Sequence, residues 1–286
     1  MKTSPSKQPI CLTIAGLDPS GGAGVVADIK TFSRFGCFAS AAISSVTFQN
    51  TTGVFGAEHQ TADSVRKQVE AVLDDYDVAA VKTGMLPTRE IIETVAEIIS
   101  ARKLKNAVVD PVVRSTTGYD LIDDAALTAM IEQLFPLADL ITPNIPEAER
   151  ITKMEITSAK DIEEAAKIMR EMGARNVLIK GGHVFELRSG GVGEKGSKGE
   201  KRTASDYLFL EDKLTVFEAE FVETTATHGT GCTLAAAITA NLALGKSLSD
   251  AVSISKEFVL QAIRTAPMIG HGNSPINICR HPQRLC

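Results

Sequence analysis

The chain has 286 residues, 44% of them hydrophobic, and a formal net charge of −5. That composition supplies one large α/β core and excludes a disordered or fibrous chain. Mild acidity, no basic block and no tryptophan argue against a nucleic-acid partner.

Apolar strand-like runs then alternate with amphipathic helix-like runs along the chain. Residues 10–15 read as a buried strand, 23–35 as a helix closed by Gly36, and 40–48 as a second strand. Residues 62–74 and 88–102 read as helices, followed by strands at 78–81 and 107–109 respectively. A helix over 123–135 leads to a strand at 139–141. The helix over 158–172 has Ser158 and Asp161 as its cap pair and Gly173 as its stop, and 177–179 is a sixth strand. Residues 206–210 and 214–217 read as a hairpin, and helices over 231–244 and 248–266 end the pattern. Short apolar strands separated by helices predict an α/β fold: a central, mostly parallel sheet with helices on both faces and a small antiparallel hairpin. One domain over 1–286 is expected, with 1–9 as a polar tail. The Gly-rich stretch 188–202 carries five cations against two anions and is expected to be a flexible surface loop.

The tail lacks the apolar core of a signal peptide, and no apolar run approaches the ~20 residues that span a bilayer. Cys11, Cys37, Cys232, Cys279 and Cys286 match neither a disulfide framework nor metal spacing, so a reducing, cytoplasmic setting is expected.

Open α/β sheets bind ligands at the carboxyl ends of their strands. Here those ends carry the loop Gly16-Leu-Asp-Pro-Ser-Gly-Gly-Ala-Gly24, then Gln49-Asn50, Lys82-Thr-Gly-Met85 and Asp110-Pro111. They continue with Thr142-Pro-Asn-Ile-Pro-Glu147 and Lys180-Gly-Gly-His183. Glycines, carboxylates, lysines and amides on one rim suit a phosphate-bearing ligand and a divalent cation. The turn His228-Gly-Thr-Gly-Cys-Thr233 opens a helix, and a glycine-lined helix start is a ready anion site. Cys232 in that turn is a candidate nucleophile or base if the helix start lowers its pKa. The first glycine loop is neither a Walker A loop nor a good dinucleotide fingerprint. On the first helix, Val25, Ile29, Phe32 and Phe35 mark an apolar face, and Asp28 falls inside that arc. A buried acid is costly without a partner, so Asp28 is expected to meet a polar ligand or, at the edge of the stripe, water.

These motifs, in this order, resemble the hydroxymethylpyrimidine/phosphomethylpyrimidine kinases of thiamin biosynthesis over about 12–277. The resemblance implies a ribokinase-like three-layer fold, a homodimer, and ATP with Mg²⁺. It implies that Gly16, Asp28, Gln49, Met85 and Val112 hold the pyrimidine. It also implies that Asn144, Lys180, Gly182 and Thr230 meet the nucleotide, that Asp110 and Glu147 organise the metal, and that Gly229, Thr230, Gly231 and Cys232 are catalytic. The implied substrate is 4-amino-5-hydroxymethyl-2-methylpyrimidine, then its monophosphate. Pyridoxal kinases, close relatives with the same Cys turn, are the nearest alternative, and a non-catalytic pyrimidine-binding protein is another. Arg114 and the 188–202 insertion depart from many relatives.

Overall fold

A computed structural model of the chain describes residues 8–113, 121–182 and 202–279. Arg114, His183 and nearly all of the 188–202 stretch lie outside the described residues.

Among the described residues nine strands form one sheet in the order β3-β2-β1-β4-β5-β6-β7-β8-β9. They are β1 (Ile10–Leu17), β2 (Phe38–Asn50), β3 (Gly53–His59), β4 (Val78–Thr83), β5 (Ala107–Val109), β6 (Leu140–Ile141), β7 (Val177–Gly182), β8 (Thr203–Leu210) and β9 (Lys213–Glu220). From β2 through β7 every neighbouring pair is parallel. The expected hairpin is β8–β9, and β8 joins the sheet antiparallel to β7. The sequence reading missed β3, which pairs antiparallel with β2 at the opposite edge. Its composition, Gly-Val-Phe-Gly-Ala-Glu-His, has too few β-branched residues to signal a strand.

Among the described residues eight α-helices cover the two faces: α1 (Gly24–Arg34), α2 (Ala62–Leu73), α3 (Arg89–Arg102), α4 (Asp124–Ala129), α5 (Ile145–Thr152), α6 (Ala159–Glu171), α7 (Thr230–Ala243) and α8 (Leu248–Arg264). Alternation along β5 shows the layering. Ala107 and Val109 face a core shared with α2 through α6, whereas Val108 faces Leu234, Ala235 and Ile238 of α7 and Ala251 and Val252 of α8. The caps follow local chemistry. Thr61 and Thr88 each accept a backbone N–H at a helix start, and Ser158 with Asp161 forms the expected reciprocal pair.

Two helical expectations are corrected. The predicted helix over 123–135 is α4, then a π-helical turn (Met130–Leu134), then a 3-10 turn (Phe135–Leu137) ending near Pro136. The strand end 142–147, given no helix, runs into α5 at Ile145, and its Asn144 and Glu147 cap each other. On α1 the buried residues are Val25, Ala27, Asp28, Thr31 and Phe32, while Ile29 is 37% exposed. Asp28 therefore lies at the centre of the buried arc, not at its edge.

No helix among the described residues is long and apolar enough to cross a membrane.

Candidate active site

The chain leaves β1 for β2 on one side and returns to β4 on the other, so the sheet reverses direction at β1 and β4. Ligands of such sheets bind at that reversal, beyond the carboxyl ends. A cavity of about 670 Å³ opens there. Gly16, Gln49, Met85, Val112, Asp110, Asn144, Glu147, Lys180, Gly229, Thr230, Gly231 and Cys232 all line it. Gly182 pairs with Ser205 in the β7–β8 ladder.

At one end the backbone of Gly16 lies against Met85, so close that a Cβ on Gly16 would come 3.1 Å from its sulfur. With Val112 and Leu121 these residues make a narrow, largely apolar slot for a flat ring. Gln49 supplies a polar group there, near enough to Asp18 to help hold that carboxyl down.

At the other end α7 starts at Gly229, a glycine cap with φ +83°. The first-turn amides of α7 have no helical partners and carry partial positive charge. Lys180 stands beside them, since a Cβ on Gly231 would lie 3.2 Å from its Nζ. Lys180 Nζ also donates to Asp110 Oδ1 at 2.8 Å, an oxygen that accepts from Thr142 Oγ1 at 2.9 Å. Burial would lower Lys180, but the attraction of Asp110 and Glu147 raises it, so it stays a cation. Burial would raise Asp110, yet Lys180 and Lys82 hold it down as a carboxylate. Glu147 is also buried, and burial aided by the charge of Asp110 pushes it up to about 7 against the pull of Lys180.

Between the two ends lies Lys82, fully buried and paired with Asp28 Oδ2 at 2.8 Å. Thr13 Oγ1 donates to the same oxygen at 2.7 Å. Burial would lower Lys82, but Asp28, Cys232 and Asp110 together raise it. Burial raises Asp28 against the pull of Lys82. Asp28 is not among the lining residues, so its expected contact with a ligand is corrected. It stands behind Lys82 and orients that ammonium. The reason is the placement of α1, whose buried centre packs over β1 and β2 and against α7.

The condition set for Cys232, a thiol lowered by the helix start, is not met. Burial raises its thiol to about 11, outweighing the nearby Lys82 charge. A thiol at that value is protonated at neutral pH, so the helix start does not make it a resting thiolate.

Sequence reasoning gave no role to Lys82, Asp18, His228, Asp206 or Lys256, all of which line the cavity. The first had a signal: an apolar strand ending in lysine needs a buried counter-charge, and Asp28 was the inward acid without a partner. The Lys256–Asp206 pair, 2.7 Å apart, joins α8 to β8 and had none, because its members lie 50 residues apart.

A doubly wound sheet whose cavity runs from a flat apolar slot to a lysine-flanked helix start defines a protein that handles a phosphate-bearing small molecule. The family model for phosphomethylpyrimidine kinase matches residues 18–277, and the chain belongs to that family. It is 41% identical over 267 residues to the hydroxymethylpyrimidine/phosphomethylpyrimidine kinase of Haemophilus influenzae, covering 93% of this chain and 95% of that protein. A crystal structure of phosphomethylpyrimidine kinase from Clostridium difficile is 39% identical, with a TM-score of 0.74 over 90% of this chain and all of that one. The pyridoxal kinase from Staphylococcus aureus, in complex with AMP-PCP and pyridoxal, is 30% identical with a TM-score of 0.83, covering 96% of this chain and 94% of that one. The expected ribokinase-like architecture is the one found.

Proposed function

We propose that this protein transfers the terminal phosphoryl group of ATP to 4-amino-5-hydroxymethyl-2-methylpyrimidine, and then phosphorylates the resulting monophosphate to the diphosphate. The observation that carries this reading is the single cavity that joins the ring slot at Gly16, Met85, Val112 and Gln49 to the α7 start with Lys180. The names of its relatives support the same substrate.

The amides of Gly229 to Cys232 meet the transferring group, where negative charge is redistributed in the transition state. Lys180 stands at that group and Lys82 faces the path between donor and acceptor. Asn144 and Thr230 belong to the same donor end, whereas Gly182, expected beside them, pairs with Ser205 and does not line the cavity. Among the described residues no group of three or more His, Cys, Asp or Glu could hold a metal by itself. That fits Mg²⁺, which is commonly bound through one or two carboxylates together with waters and phosphates. Asp110 and Glu147 are the carboxylates that would hold it, and the ion would neutralise phosphate charge.

Phosphoryl transfer passes through a loose transition state that asks little of a base. A thiol held near 11 suits that demand. In the second step the acceptor is a phosphate monoester, with a second pKa of about 6, and is already ionised. The Cys232→Ala variant is therefore expected to lower kcat for the alcohol less than about 10-fold, against the ~10²–10⁴-fold typical of a lost general base. It should leave the second phosphorylation nearly unchanged. A loss of several hundredfold confined to the alcohol would reinstate Cys232 as the base.

The similarity to a pyridoxal-bound kinase favours pyridoxal as a second reading. Gln49-Asn50 favours the pyrimidine, because pyridoxal-specific relatives often carry other residues there. ADP release with each alcohol, and chromatography of the products as mono- or diphosphate, tests the assignment. Higher kcat/KM for pyridoxal overturns the substrate, and binding without ADP release overturns catalysis.

A homodimer is part of this proposal. The edge strand β3 and its partner β2 expose Phe55 (68%) and Phe48 (49%), a surface suited to a second copy. Light scattering that returned the mass of one 30.4 kDa chain would exclude it. The free thiols of Cys11, Cys37, Cys232 and Cys279 support a cytoplasmic setting, which fractionation of cells into oxidising and reducing compartments checks.

A further inference from the structure

Asp18 and His228 line the cavity but have no part in the chemistry above. Asp18 opens the loop between β1 and α1. Its Oδ1 accepts from Ser20 N at 2.8 Å. Its Oδ2 accepts from Ala23 N at 2.8 Å, Gly22 N at 3.2 Å and Ser20 Oγ at 2.9 Å. The same oxygen meets His228 Nε2 at 2.7 Å. The Asp18 side chain is 1% exposed and that of His228 13%. Burial would raise this carboxyl, but His228, Ser20 and Gln49 hold it down at about 2, so it is a carboxylate throughout the physiological range.

His228 immediately precedes the anion cradle, so this hydrogen bond joins two separate pieces of the cavity wall. Two other contacts join the same pieces. A Cβ on Gly229 would sit 1.8 Å from Gly22 O, and one on Gly22 would sit 2.3 Å from His228 Cδ2. On its far side His228 is held by the C-terminal segment, donating its backbone N–H to Ser274 O at 3.3 Å. Gly16 and Leu17, just before Asp18, wall the ring slot.

We propose that Asp18 and His228 are positioning residues for phosphoryl transfer: they fasten the loop that seats the acceptor to the turn that grips the transferred group. This rests on the kinase reading. The pair touches neither reacting atom and acts by fixing the distance between them. Transfer rates depend steeply on such distances, and an error of 1 Å can cost about 10²-fold.

The test compares His228→Ala with His228→Gln, whose amide can still donate to Asp18, at a temperature where circular dichroism shows each folded. With ATP and the pyrimidine alcohol, His228→Ala is expected to lower kcat at least about 10-fold while both KM values stay within about 3-fold, the pattern of an interaction realised only in the transition state. His228→Gln should regain most of that loss. A lower melting temperature with unchanged kcat overturns the proposal, as does a uniform rise in KM. A second readout does not depend on turnover: the rate at which iodoacetamide labels Cys232, followed by mass spectrometry of its peptide. Faster labelling in His228→Ala than in wild type and His228→Gln supports the fastening, and equal rates overturn it. A wild type that phosphorylates no alcohol overturns the kinase reading, and the labelling rates then still decide whether the pair fastens the turn.

Discussion

Replacing Gly229 by alanine is expected to lower kcat by about 10²–10³-fold, the usual cost of losing one preorganised donor to a developing oxyanion. The argument is geometric. Gly229 sits at φ +83°, where an L side chain is strained, and its Cβ would overlap Gly22 O at 1.8 Å. One loop must therefore move. Whichever moves, the first amides of α7 shift away from Lys180, which stands against Gly231. Gly245 provides the control. It has φ +78° at the other end of α7, with no heavy atom within 4 Å of an added Cβ. Gly245→Ala should therefore cost only backbone strain, about 1–3 kcal/mol, and leave kcat unaltered. Steady-state kinetics and denaturant melts of both variants check the pair. A Gly229→Ala enzyme with kcat within a few fold of wild type would remove the cradle from the mechanism.

The sequence was most legible where one residue type has one use. Glycines at 229 and 231 before a helix of strong formers marked the anion turn, and the structure puts that turn on the cavity wall. Apolar runs of three to nine residues placed the parallel strands, because a strand buried on both faces carries few polar residues to confuse its period. Gln49, Met85 and Val112 were placed by resemblance and line the cavity, while their contact with substrate remains a proposal. Legibility failed where a residue's state depends on a distant partner. Cys232 sits at a helix start, which lowers a thiol's pKa, but also among buried groups, which raises it, and only coordinates show that burial wins. Asp18 and His228 lie 210 residues apart, and nothing local marks either as half of a pair. The helix α5 was missed because Thr142-Pro-Asn-Ile-Pro reads as a turn, although proline is well placed in the first turn of a helix.

Lys82→Met is expected to destabilise the protein by about 3–5 kcal/mol, because it leaves a buried carboxylate without its counter-ion. Asp28 is fully buried, with Thr13 as the other donor to Oδ2 and no partner at Oδ1. Asp28→Ala should cost a comparable amount by stranding the Lys82 ammonium, which Asp110 and Cys232 do not touch at hydrogen-bond distance. The double variant is the informative one. With both charges gone no uncompensated ion remains, and replacing a whole buried pair by apolar groups is often neutral or better. Asp28→Ala with Lys82→Met should therefore recover at least half of the single-variant loss in a urea melt. Its kcat should stay as low as that of Lys82→Met, because Lys82 lines the cavity and its charge lies between donor and acceptor. Stability that returns while activity does not separates the two consequences of one salt bridge. If the double variant regained wild-type kcat, Lys82 would be no more than a structural counter-ion for Asp28. If Lys82→Met melted with wild type, the pair would hold nothing together.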